Sequence, residues 1–210
     1  MKTPIDRALD AQHVKRWSLV ATTAESNVAS HSFNVAVIAM AIRDQMKNTI
    51  DIDRRDVCYH ALLHDIDEVF TGDIPTPTKM AMRAQGVEPN ALFEGQEVSN
   101  PPDKVRAIIK IADLIDNYTF ICHHGAGVRA TGATAEVRGR LVAALDGASP
   151  DLGRAGREVL AYIAERRSEH PEERKRLEAE GKRLREFNHF SRTPGAPYVD
   201  RKPRHGAGGT

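Results

Sequence analysis

Apolar residues recur at three- and four-residue steps through most of this chain, and no stretch alternates apolar with polar at every second position. Between residues 27 and 47, Val28, Val35, Ile38, Ala39, Ile42 and Met46 fall along one face of a helix, with Ser26 and Asn27 offering cap oxygens just ahead. Residues 53–70 repeat the pattern through Val57, Ala61, Leu62, Ile66 and Val69. Thr71-Gly72-Asp73 is predicted to end that helix, and Ile74-Pro75-Thr76-Pro77 to be non-helical, because proline removes a donor and restricts its predecessor. A third strong segment, 103–121, carries Val105, Ile108, Ile109, Ala112, Ile115 and Phe120. A Gly/Thr-rich stretch from His123 to Ala133 is predicted as the connection to weaker helices near 134–145 and 153–167. The pattern predicts an all-α fold.

With 210 residues, 40% of them hydrophobic, the chain is long enough for one domain with a substantial core. Thirty Lys+Arg against 29 Asp+Glu leave a formal charge of +1, which argues against a nucleic-acid polymer as partner. Cys58 and Cys122 form no C-x-x-C pair, so neither a disulfide framework nor a zinc knuckle is expected, and a reducing compartment fits. The opening MKTPIDRALDAQ lacks the apolar stretch of a signal peptide, and no run approaches the ~18 apolar residues of a membrane span. A soluble, cytoplasmic protein without a membrane partner is expected. Residues 172–185 are densely charged, as solvated helix faces are. Residues 191–210 are Pro/Gly-rich, and from 181 to 210 there are seven Lys/Arg against two Asp/Glu. The expected organisation is a domain over 1–190 followed by a flexible basic tail over 191–210.

The chemistry-bearing residues are dispersed. His31 falls early in the first strong helix, His64-Asp65 in the second and Asp113 in the third. Two imidazoles and two carboxylates form a mixed nitrogen/oxygen donor set suited to zinc, manganese, cobalt, nickel or iron. Each lies in an apolar helix, where an unpaired charge is expensive to bury, and a shared cation relieves that cost. Glu68 and Asp73 follow closely in His-Asp-Ile-Asp-Glu-Val-Phe-Thr-Gly-Asp. Carboxylates crowded in this way repel one another unless a cation or a proton-transfer task holds them there. Among further candidates, His60 is one turn before His64, Asp116 one turn after Asp113, His123-His124 precede the Gly-rich stretch, and Lys79 follows the prolines. These read by default as packed or solvated side chains.

A histidine in a helix, then an His-Asp pair, then a later Asp resembles the signature of the HD-domain metal phosphohydrolases. Within them the chain is similar to the bacterial 5′-deoxynucleotidases over roughly residues 12–120. Arg16-Trp17 precede the first histidine, Asn27-Val28-Ala29-Ser30-His31-Ser32 matches N-V-x-x-H-S, and Ala112-Asp113 supplies the last element. The block from His64 to Pro77 matches H-D-x-x-E-V-x-T-G-D-x-P-T-P at every fixed position. Glu68 followed by Val69, Ile66-Asp67 after the His-Asp pair and the lack of a G-Y-P element separate the chain from other HD branches.

The resemblance implies an all-helical bundle, commonly a homodimer or higher homo-oligomer. It implies one divalent ion on His31, His64, Asp65 and Asp113, with a further magnesium or manganese accompanying a triphosphate substrate. Glu68 would handle the proton of the attacking water, and Asp73 would serve both catalysis and substrate binding. Arg16 would clamp phosphate, and Trp17, Thr76 and Pro77 would line the substrate site beside Asp73. The expected activity is removal of 5′-phosphate from 2′-deoxynucleotides. The alternative is hydrolysis of dATP or another deoxynucleoside triphosphate by the small phage-type enzymes, and a remote third is a non-catalytic helical interaction module. Two departures bear on that choice: Ser30 stands where the family carries Glu, and Asp113 follows Asp65 by only 48 residues.

Overall fold

The computed structural model describes residues 4–47, 49, 51–87 and 100–168. The tail predicted over 191–210 and the charged stretch over 172–185 lie outside the described residues, so the boundary at 190 does too. Eight α-helices are present among the described residues, with two isolated antiparallel bridges and no strand. They are α1 (Pro4–Asp10), α2 (Val28–Gln45), α3 (Arg54–Leu63), α4 (Glu68–Thr71), α5 (Thr76–Ala84), α6 (Asp103–His124), α7 (Gly127–Gly147) and α8 (Pro150–Ser168). The all-α expectation is borne out. No helix among the described residues is long and apolar enough to cross a membrane.

Asn27 caps α2 by accepting from the Ser30 amide at 2.8 Å, while Ser30 Oγ faces the Asn27 amide at 3.4 Å. This reciprocal box is commonly closed by Glu at the same position. Ser30 performs that capping role here with an exposed side chain, so its replacement of Glu bears on the helix cap. Val35, Ala39 and Ile42 of α2 face Val57 of α3, Ile108 and Ile115 of α6, and Leu141 and Leu145 of α7 in one continuous core. Ile42, Ile108, Ile111 and Ile115 are each no more than 2% exposed, and such burial stabilises by roughly 2 kcal/mol per side chain.

A second, small core of Ala11, Val28 and Ile66, joined by Val14, Leu63 and Val69, packs the N-terminal segment under the His-Asp turn. Lys15 bridges to Asn27 and Thr22 to Gly125, and between them the chain carries Arg16 to the turn after α3 and Trp17 against α6.

Three sequence expectations need correction. The helix predicted over 53–70 breaks: α3 ends at Leu63, His64 to Asp67 form a turn, and Glu68 starts a new short helix. Apolar spacing continues across the break because Ile66 and Val69 fill the small core, so periodicity alone conceals the turn. Thr76 and Pro77, predicted outside any helix, open α5. Proline is tolerated there because the first-turn amides have no intrahelical acceptor. The connection predicted from His123 to Ala133 shrinks to Gly125 and Ala126, and α7 begins at Gly127. A Cβ at Gly125 would stand 2.6 Å from the Ile121 carbonyl oxygen and 2.9 Å from Ala130 Cβ, so glycine permits this tight α6–α7 junction.

Candidate active site

His31 enters from the first turn of α2, His64 from the C-cap of α3, Asp65 from the turn that follows and Asp113 from the middle of α6. One donor atom from each of His31, His64 and Asp65 lies within 4.8 Å of the others. Asp65 Oδ2 is 3.5 Å from His31 Nε2 and 3.4 Å from His64 Nε2, and Asp113 Oδ1 is 3.4 Å from His31 Nε2. Breaking the helix at His64 lets the adjacent His and Asp address one point, which two consecutive helical residues, about 100° apart, do poorly.

Each imidazole is oriented by its other nitrogen. Nδ1 of His31 donates to Asp116 Oδ2 at 2.7 Å, and Asp116 Oδ1 accepts from Asn34 at 3.1 Å. Nδ1 of His64 donates to the Ala61 carbonyl oxygen at 2.7 Å. Both Nε2 atoms are thereby directed into the cluster, where they are buried without a hydrogen-bond partner. Buried polar atoms are rarely left so. Two orphaned imidazole nitrogens facing two carboxylates fit a divalent cation. Asp116, read by default as a packed or solvated side chain, is the carboxylate that orients His31.

Burial opposes charge on His31, but the adjacent Asp113 carboxylate and the hydrogen bond to Asp116 outweigh it and raise the imidazole to about 9. Burial likewise opposes ionisation of Asp113 and Asp65. The closeness and charge of His31 hold Asp113 well below the usual carboxylate range, and the charges of His64, Arg16 and His31 lower Asp65. A metal-free site is therefore closed by an imidazolium. Its folded value lies above the ordinary 6.5, so its contribution is complete below pH 6.5 and disappears as pH rises through about 9. Metal-stripped protein is expected to lose on the order of 2–3 kcal/mol of stability across that window. Denaturation at pH 6.5 and pH 9 checks this, and a flat profile sinks it. A divalent ion needs the neutral ring, so its binding is expected to release a proton, readable by calorimetry in buffers of different ionisation heat.

Glu68 starts α4 beside this cluster and is 7% exposed. It accepts from Lys79 Nζ at 2.9 Å and lies 3.5 Å from Arg16 Nη1. Burial first, then the Asp65 carboxylate, raises it to about 7 against the pull of Lys79 and Arg16. A carboxyl group poised near neutrality can take and return a proton. Arg16 donates from Nη1 to Asp65 Oδ2 at 2.8 Å and from Nη2 to Asn117 Oδ1 at 3.1 Å.

These groups line one wall of a cavity of about 340 Å³ that also holds Trp17, Asp73, Thr76 and Pro77. The Trp17 amide donates to Asp73 Oδ2 at 3.2 Å, and Trp17 has φ 62°, a left-handed conformation unusual for a bulky residue. Its ring stacks on Phe120 at 6.0 Å between centroids. Thr76 Oγ1 accepts from Arg140 at 3.2 Å. The ten residues that the resemblance assigns to the site thus all lie at the cluster or on the cavity wall.

Sequence reasoning undervalued Lys79, which reaches Glu68, and passed over Asn117, Lys110, Arg83 and Arg140, which also line the cavity. A signal existed for Asn117: it is one turn beyond Asp113 on α6. His60 is buried and meets Tyr59 edge-on, and His124 lies tilted against Phe120; neither belongs to the converging group.

Comparison with known proteins is consistent with this geometry. The YfbR-like 5′-deoxynucleotidase family model matches residues 8–86. The chain is 35% identical over 134 residues to a dATP triphosphohydrolase of Salmonella phage PMBT28, covering 60% of this chain and 69% of that one. It is 30% identical over 129 residues to a dATP triphosphohydrolase of cyanophage S-2L, covering 58% and 71%. It is 31% identical over 115 residues to 5′-deoxynucleotidase YfbR of Escherichia coli K12, covering 51% and 55%. The structure of the cyanophage S-2L HD phosphohydrolase bound to dA and one catalytic Zn2+ ion superposes with a TM-score of 0.59 at 24% identity, covering 79% of this chain and 96% of that one. That likeness shows the fold.

Proposed function

Since the chain belongs to the HD-domain phosphohydrolase family that includes the phage dATP triphosphohydrolases and the YfbR-like 5′-deoxynucleotidases, we propose that it hydrolyses the 5′-phosphoester bond of 2′-deoxynucleotides. The observation that carries this reading is the pair of orphaned Nε2 atoms on His31 and His64 aimed at Asp65. His31, His64, Asp65 and Asp113 would hold one divalent ion of the zinc or manganese kind. When bound, such an ion supplies Lewis acidity that makes the α-phosphorus more electrophilic and a nearby water more acidic.

The chain's own residues do the rest. Arg16, a planar cation with several donors, holds phosphoryl oxygens. Glu68 accepts the proton of the water that attacks the α-phosphorus, and the proton returns as the 5′-oxygen leaves. Trp17 and Asp73, fixed to each other, wall the sugar so that a 2′-hydroxyl finds neither room nor partner.

A monophosphate and a triphosphate break the same bond between phosphorus and the 5′-oxygen. They differ in the inorganic product and in charge. With Asp65 and Asp113 committed to a cation, the cavity lining carries Arg16, Lys79, Arg83, Lys110 and Arg140 against Glu68, Asp73 and Glu136. That cationic excess favours a triphosphate, and the two most fully covered relatives above carry the dATP triphosphohydrolase name. Hydrolysis of the monophosphate is the second reading, favoured by the family model that spans Arg16 through Pro77. Incubation with dATP, dAMP and ATP in manganese or zinc, followed by chromatography of nucleoside and inorganic products, tests both. Deoxyadenosine and inorganic triphosphate from dATP are expected, with ATP a poor substrate. Orthophosphate from dAMP alone overturns the triphosphate reading, and no turnover with any of them overturns the proposal.

A further inference from the structure

Asn117 makes two hydrogen bonds that no role above uses. Its Oδ1 accepts from Arg16 Nη2 at 3.1 Å, and its Nδ2 donates to Asp113 Oδ1 at 2.6 Å. Chemistry fixes that orientation: a guanidinium only donates and a carboxylate only accepts, so the amide oxygen must face Arg16 and the amide nitrogen Asp113. Aspartate in its place would have no donor for Asp113, and an aliphatic side chain would serve neither partner. Because the other terminal nitrogen of Arg16 donates to Asp65 Oδ2 at 2.8 Å, an unbroken chain runs Asp113–Asn117–Arg16–Asp65. It joins the two carboxylates of the cluster through the cation that faces the cavity.

We propose that Asn117 is a positioning residue that holds Asp113 and Arg16 in register, so that one side chain sets both metal affinity and phosphate affinity. The assignment rests on the reading of Asp113 as a metal ligand and of Arg16 as the phosphate clamp. Asp113 can rotate about its terminal torsion, and the bond from Asn117 selects the oxygen that stands 3.4 Å from His31 Nε2. Arg16 has a long side chain with many rotamers, and anchoring both ends of its guanidinium removes that freedom before a phosphate arrives. The outer partners of metal ligands commonly matter at this level, changing affinity by about 10–100-fold when removed.

The test uses the full chain and Asn117→Ala, which keeps good helix propensity in mid-α6. Three probes are titrated: manganese alone, then inorganic phosphate and deoxyadenosine at saturating manganese, with thermal melting as a control on folding. Asn117→Ala is expected to weaken manganese by about tenfold. It should weaken inorganic phosphate to a similar degree while deoxyadenosine stays within about twofold, because nothing in the chain of bonds reaches the nucleoside. In an Arg16→Ala background the same substitution should lower phosphate affinity no further. Unchanged manganese and phosphate affinities overturn the proposal. A parallel loss of all three probes also overturns it, since that is general loosening, and so does an additive phosphate loss in the double variant. If the unsubstituted protein binds neither manganese nor phosphate, the functional reading falls first and takes this assignment with it.

Discussion

Glu68→Gln is expected to lower turnover by about 10²–10⁴-fold while leaving the metal in place. Glutamine keeps the length and planarity of the side chain, and its oxygen can still accept from Lys79 at the 2.9 Å position now occupied by Glu68 Oε1. What is lost is the ability to bind and release a proton, together with the charge and the long 3.5 Å contact that Glu68 Oε2 offers Arg16. The metal should stay because Glu68 is held by Lys79 and Arg16, whereas Asp65 and Asp113 are the carboxylates set against the imidazole nitrogens. Stability should change little or rise. Burial and the nearby Asp65 disfavour the carboxylate at this position, as its elevation to about 7 shows, and a neutral amide escapes that penalty. Metal content of the purified variant and single-turnover rates check the prediction together. Loss of the ion along with activity would place Glu68 among the ligands and remove the proton-handling role.

How much of this was legible in the chain differs from one element to the next. Helices α2 and α6 were readable because each buries one broad stripe, through Val35, Ala39 and Ile42 in one and Ile108, Ala112 and Ile115 in the other. The His64–Pro77 block was readable because its residue types and spacing are specific. The break at His64 was not, since Ile66 and Val69 continue the apolar rhythm while serving a different core. Gly132 suggested a loop yet lies within α7, where packing on α6 outweighs a propensity cost of about 1 kcal/mol. Asp116 and Asn117 illustrate a deeper limit. Their positions on one face with Asp113 follow from helical spacing, but their roles depend on His31 and Arg16, which lie 85 and 101 residues away. The left-handed backbone at Trp17 is tertiary in the same sense, with its amide donating a hydrogen bond to Asp73.

Asp65→Ala should be the most damaging single change in the cluster, abolishing turnover, stripping the metal and destabilising the fold. Asp65 Oδ2 stands at the centre: 2.8 Å from Arg16 Nη1, 3.5 Å from His31 Nε2 and 3.4 Å from His64 Nε2. Its removal leaves a guanidinium whose side chain is only 9% exposed without its nearest counter-charge. Breaking a buried pair from one side typically costs about 3–5 kcal/mol, because the remaining charge stays desolvated. Asp113→Ala should also release the metal but cost less stability, since Arg16 keeps both Asp65 and Asn117 as acceptors. Asp65→Asn separates the two effects: its amide oxygen still accepts from Arg16, so folding should recover while metal retention does not. Metal analysis beside denaturant unfolding of the three variants gives the ordering. If Asp65→Ala unfolds no more readily than Asp113→Ala, Arg16 does not depend on Asp65 for its burial. The aspartate would then be a ligand without a structural share in the site.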